Sequence, residues 1–143
     1  MGSGKRVLRF IIWLGVVLFQ LVMTQVVTFL FSLLVPGMGD LPQTRPVFFI
    51  VALGITFTIG IFLPGWLALS RRWLASEPRY AVRLVATLVG AYVPLLVAVI
   101  VYHPLEPGNP FFFISMLAGI LGFHAPGWVI KKRTINNSAS DRL

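Results

Sequence analysis

Four apolar stretches, 8–35, 47–69, 84–102 and 111–130, organise the chain, and the segments between them are short, polar and rich in Gly and Pro. Each reaches or approaches the roughly 20 residues with which an α-helix rising 1.5 Å per residue crosses ~30 Å of hydrocarbon. The pattern therefore predicts four membrane-spanning helices. The first stretch exceeds that length and has room to tilt, and the third, bounded by Arg83 and His103, is the shortest. The first is also longer than the apolar core of a signal peptide and lacks a small-x-small cleavage site, so it reads as a retained span. Two of the stretches close on the same tripeptide. Pro64-Gly65-Trp66 and Pro126-Gly127-Trp128 lie 62 residues apart, each four residues after a glycine (Gly60, Gly122) and just before a basic cluster. This internal repeat predicts an all-α integral membrane protein, a single four-helix transmembrane domain over 1–143 built as two tandem hairpins that return to the same side.

Composition narrows the class further. With 57% hydrophobic and 11% charged residues and a mean hydropathy of +0.89, the 143-residue chain has too little polar surface for a water-soluble globule. The charge that remains is one-sided. Lys5, Arg6 and Arg9 stand at the entry of the first span, Arg71, Arg72, Arg79 and Arg83 between the second and third, and Lys131, Lys132, Arg133 and Arg142 after the fourth; the other side carries Asp40, Arg45 and Glu106. Positive charge favours the cytoplasmic face, so both termini and the middle loop are expected in the cytoplasm. The net charge of +8 is then a topology signal and not a nucleic-acid footprint, because the cations hug helix ends and form no basic domain. Trp13, Trp66, Trp73 and Trp128 fall near the same ends, where an indole sits well among headgroups. The outer loops, from Pro36 to Pro46 and from His103 to Pro110, are too short and too Gly/Pro-rich to make a binding domain. With no cysteine there is no disulfide, thiolate nucleophile or thiolate metal site.

Small and polar positions inside the spans carry the remaining information. Ala86, Gly90, Pro94 and Ala98 recur every fourth residue of the third span, a stripe that admits a second backbone, and Pro94 is expected to kink that helix. Ala52, Thr56 and Gly60 in the second span, and Ser115 with Gly119 and Ala118 with Gly122 in the fourth, repeat the spacing. In the first span Gln20, Thr24, Thr28 and Ser32 form a polar stripe with Gln25 beside it. Interhelical hydrogen bonding, worth roughly 0.6 kcal/mol per contact in membranes, accounts for it, and a polar path lining a groove is the sharper alternative. The spans lack the ionisable chain of a proton- or cation-coupled carrier, so ion pumping by this chain alone is not expected.

Catalysis and cofactors find little to rest on. Asp40 and Glu106 lie in exposed turns without the setting of an acid/base pair, so no enzymatic activity and no metal are expected. His103 and His124 fall at opposite ends of their spans and cannot share one haem. His124 alone has the chemistry of an axial ligand to a pigment or haem, against the plainer reading of a helix-end histidine meeting a headgroup or a carbonyl.

The Lys5, Arg6, Arg9, Phe10 entry, the Arg71-Arg72-Trp73 closure of the first hairpin and the four-span layout resemble the GtrA family of small duplicated-hairpin membrane proteins. The resemblance covers most of the chain in topology. That family commonly places an Asn-Phe pair before each basic-aromatic ending. Here Pro-Gly-Trp stands nearby instead, and Lys131-Lys132-Arg133 has no aromatic. What it implies is a bacterial or archaeal plasma-membrane protein that assists translocation of polyprenyl-phosphate-linked sugars for cell-surface glycosylation. The resemblance carries over Arg71, Arg72 and Trp73 as headgroup residues, and Lys131, Lys132 and Arg133 join them as candidates because cations at a helix end can pair with a lipid phosphate. A protein partner or a homo-oligomer is expected, since four helices make a small bundle for a sealed pathway. A structural accessory subunit of a larger respiratory, photosynthetic or ATP-forming complex explains the same seams and short loops. Gly122 to Arg133 is also similar to an exit segment of type II secretion and Tad pilus platform proteins, but those carry a cytoplasmic helical domain where this chain has a short loop.

Overall fold

The structure is a computed structural model that describes residues 3–37, 40–74, 79–101 and 109–140, without the side chains of Ser3, Pro42, Gln43 and 129–140. The described residues form helices and no strands: α1 (Ser3–Leu34), α2 (Leu41–Thr44), α3 (Pro46–Ser70), α4 (Tyr80–Val101) and α5 (Pro110–Ser140). Four of them, over Gly4–Leu34, Pro46–Ser70, Tyr80–Val101 and Pro110–Trp128, are long and apolar enough to span a membrane. Local chemistry sets several ends. Pro46 and Pro110 stand at the first helical positions of α3 and α5, where the missing N–H costs nothing. Asn109 Oδ1 accepts the Phe111 N–H at 3.0 Å, satisfying one of the orphan donors of the α5 N-terminus.

The Pro-Gly-Trp copies do not end their helices. α3 runs four residues beyond Trp66 and α5 continues to Ser140, so Pro64 and Pro126 are interior prolines whose lost hydrogen bonds are absorbed within the bundle. Apolar residues continue past both tripeptides, Leu67 to Leu69 and Val129 to Ile130, and helicity persists because neither glycine takes a positive φ.

α3 is the central helix. It is apolar on every side, and 56% of its apolar centre is buried, against 17% for that of α1, 22% for α4 and 33% for α5. Phe49, Ile50, Leu53, Phe57, Ile61 and Leu69 of α3 build the core with Ala91 and Leu95 of α4 and Met116, Ile120 and Phe123 of α5. Glycines allow the close approaches that this requires. A Cβ on Gly60 would overlap the Thr24 backbone of α1, one on Gly54 the Tyr92 ring of α4, and one on Gly65 the Phe123 ring of α5. α4 and α5 meet in the same way, Gly122 against the Ala86 carbonyl and Gly90 against the Ala118 carbonyl. Gly60 on Thr24 and Gly122 on Ala86 are one contact displaced by the 62 residues that separate the two tripeptides.

The small-residue stripe of α4 thus serves contacts within the chain. Ala86 and Gly90 lie against α5, Pro94 is half-buried and Ala98 is buried. The deepest line of α4 runs beside the stripe through Arg83, Thr87, Ala91 and Leu95 and meets it at Ala98. Arg83 requires a correction. Placed by its charge among the loop cations, it lies instead inside α4 and is 1% exposed, because the helix begins at Tyr80, ahead of it.

Candidate functional site

The start of α1, the end of α3, the start of α4 and the end of α5 gather at one end of the bundle, where the described basic residues other than Arg45 also lie. Two arrangements occupy this end: a buried polar chain and an apolar groove.

The chain begins at Trp13, whose indole Nε1–H donates to His124 Nδ1 at 3.3 Å. Since indole nitrogen only donates, Nδ1 is the acceptor and the imidazole proton sits on Nε2, which donates to Gln20 Oε1 at 3.0 Å. Gln20 Nε2 then donates to the Ile61 carbonyl at 2.9 Å. Every polar atom of both side chains' facing edges is engaged, and α1, α5 and α3 are tied in one direction of donation. Aromatic rings enclose the imidazole: Trp128 stacks on it at 6.5 Å and 21°, and Phe123 meets it edge-on at 5.2 Å. Below Phe123 lies Arg83, whose guanidinium carbon is 5.2 Å from the ring centroid and whose Nη1 donates to the Phe123 carbonyl at 2.7 Å.

His124 is therefore neither at the surface nor aimed at an open space. It is 4% exposed with both nitrogens engaged, so axial ligation of a pigment or haem there would first have to break the bond to Trp13 or to Gln20. No group of three or more His, Cys, Asp or Glu suited to a metal occurs among the described residues.

The α1 polar stripe is split by the packing. Gln20 and Thr24 are fully buried, Thr28 is half-buried with its hydroxyl unpartnered, and Ser32 is exposed and bonds back to the Phe29 carbonyl at 2.6 Å. Thr24 likewise bonds back to the Gln20 carbonyl at 2.7 Å. Gln25, beside the stripe, reaches Met116 Sδ at 3.4 Å. Across the bundle Ser115 is buried with an unpartnered hydroxyl. Gln20, Thr24 and Ser115 thus stand among packed helices and not at the surface.

The groove lies between α1 and α3. It has a volume of about 420 Å³ and is lined by Ile12, Gly15, Val16, Phe19, Pro64, Ala68 and Trp73. Its outer wall exists because of how α3 ends. Arg72 takes a left-handed φ of 57°, its N–H donates to the Leu69 carbonyl at 3.0 Å, and the Trp73 N–H donates to the Ala68 carbonyl at 2.9 Å. This Schellman-type turn folds Trp73 back toward Ala68, the apolar contact that commonly accompanies the motif. It leaves Arg71 and Arg72 exposed next to the groove's end.

Of the anticipated headgroup residues, Arg71, Arg72 and Trp73 are exposed and contiguous. The backbone of Lys131, Lys132 and Arg133 continues α5, but their side chains lie outside the described residues, as do His103 and Glu106. The groove, the Trp13–His124 contact and the burial of Arg83 had no counterpart in the sequence reading. The one available signal was the place of Gln20 in the polar stripe of the first span.

No protein-family model, curated protein or solved structure matches the chain.

Proposed function

We propose that this is a non-enzymatic membrane protein of two tandem hairpins, both termini cytoplasmic, that assists translocation of polyprenyl-phosphate-linked sugars for cell-surface glycosylation. The observation that carries the reading is the exposed Arg71-Arg72-Trp73 turn at the end of α3. Guanidinium groups pair with phosphate through forked, charge-assisted hydrogen bonds, and an adjacent indole suits the headgroup layer. The hairpin reading is supported by the matched contacts of Gly60 on Thr24 and Gly122 on Ala86. The orientation rests on the charge distribution.

The test is Arg71→Ala combined with Arg72→Ala in the native host. Surface glycan transfer is expected to fall at least tenfold with unchanged protein abundance, and normal transfer at normal abundance would sink the proposal.

A second reading, a structural accessory subunit of a larger respiratory, photosynthetic or ATP-forming complex, is favoured by α1, which is mostly exposed and presents Phe10, Leu18, Val22 and Phe29 outward. Under it the double Arg variant is tolerated.

A further inference from the structure

We infer that the groove between α1 and α3 seats the hydrocarbon chain of a lipid phosphate, with the phosphate held outside it by Arg71 and Arg72. This deepens the proposed function, on which it rests only for naming that lipid as a polyprenyl phosphate.

The groove is a concave part of the described surface, and it leads to a cationic end. Its lining is almost wholly apolar, and its volume of about 420 Å³ falls within the ~300–1,000 Å³ typical of small-molecule sites. Space is left in it by composition: Gly15 has no heavy atom within 4 Å of where its Cβ would stand, so the α1 wall is recessed at its middle. Along α1 the lining positions Ile12, Gly15, Val16 and Phe19 follow helical spacing and form one face. The adjoining face of the same helical segment is fixed by Trp13 and Gln20 through His124. The polar chain thus holds the groove's wall in place.

A transmembrane helix from a second copy would suit an apolar groove confined to the hydrocarbon. This groove instead continues past the last turn of α3 to Trp73, directly after two exposed cations. An apolar channel that opens onto paired guanidinium groups is complementary to an anionic amphiphile, tail inward and phosphate at the rim. A single chain is the fitting tail, because the walls are set by two adjacent helices and one indole.

The experiment uses the full chain in phosphatidylglycerol nanodiscs with photoreactive farnesyl phosphate as probe and farnesol as its uncharged counterpart. Cross-links are expected on Ile12 to Phe19 and on Pro64 to Trp73, with farnesyl phosphate preferred over farnesol by about tenfold, the loss of one good charge-assisted contact. Gly15→Leu projects a side chain into open space, and is expected to lower labelling about tenfold while leaving the melting temperature unchanged or raised. Trp73→Ala, at an exposed position, removes a wall without touching the core and is expected to weaken labelling as well. Arg71→Ala with Arg72→Ala should remove the preference for the phosphate and spare farnesol binding. Labelling elsewhere, labelling indifferent to both groove variants, or equal binding of farnesol overturns the inference. The two proposals fail separately. Groove binding that obeys these rules in a protein whose double Arg variant still supports glycan transfer leaves the site and removes the function. Lost transfer with unaltered farnesyl phosphate labelling does the reverse.

Discussion

His124 ties α5 to α1 at two points because a neutral imidazole donates at one ring nitrogen and accepts at the other, and Gln20 carries the connection on to α3. Replacing either neighbour leaves a polar atom stranded among Phe123, Trp128 and the helix backbones, where an unpaired group costs about 1–3 kcal/mol. Gln20→Ala strands both His124 Nε2–H and the Ile61 carbonyl site it served, so it is expected to destabilise the protein by that amount in a detergent unfolding titration. A double-mutant cycle of Gln20→Ala with His124→Phe should return a coupling of about 0.6–2 kcal/mol, the range for hydrogen bonds between membrane helices. Strict additivity would mean that the two side chains do not share a bond. Neither partner was foreseeable by spacing: Gln20 and His124 are 104 positions apart, and only the packing of α1 beside α5 brings them to 3.0 Å. Arg83 was hidden for a related reason. Charge alone sorts an arginine into a loop, whereas the helix start at Tyr80 commits its side chain to the α5 face, where its stem is buried and its Nη1 meets a carbonyl.

Helix contacts in this bundle depend on glycines that admit a neighbour's backbone. Gly60 and Gly122 accept Thr24 and Ala86, and a methyl group at either has no flexible atom to displace. Gly60→Ala and Gly122→Ala are each expected to cost about 1–3 kcal/mol, as overpacking does, despite the better helix propensity of alanine. Gly15→Ala meets open space and should instead stabilise by up to about 1 kcal/mol. Thermal melts of the three variants under one condition check this, and an equal response at all three sites would refute it. The fourfold spacing of small residues announced the α4–α5 seam in advance, since a stripe every fourth residue lies along one helix face. It did not say that the seam is filled from within. Ala118 and Gly122 of the same chain occupy Ala86 and Gly90, so that face is closed to an outside partner.

At the scale of the molecule the fold is a central apolar helix, α3, wrapped by three helices that share their outer faces with lipid. The proposed side of insertion rests on the charge distribution alone and is directly measurable, because the chain contains no cysteine to remove first. Single cysteines at Arg45 and at Arg71, made as Arg45→Cys and Arg71→Cys, are expected to react with an impermeant maleimide from opposite sides of the membrane, position 45 from outside intact cells and position 71 only after lysis. The reverse pattern would invert the topology and move the groove's cationic rim to the outer face. Sequence by itself determined the number and approximate limits of the spans, because hydropathy and length are properties of each helix alone, and it determined the 62-residue repeat, whose glycines recur as matched contacts. Only the tertiary structure decided which polar residues share a bond, that Arg83 is interior, and that α1 and α3 part around Gly15 to leave a groove. Those features depend on the rotation of each helix about its axis and on how its end turns, quantities set jointly by neighbouring surfaces that no single stretch of sequence contains.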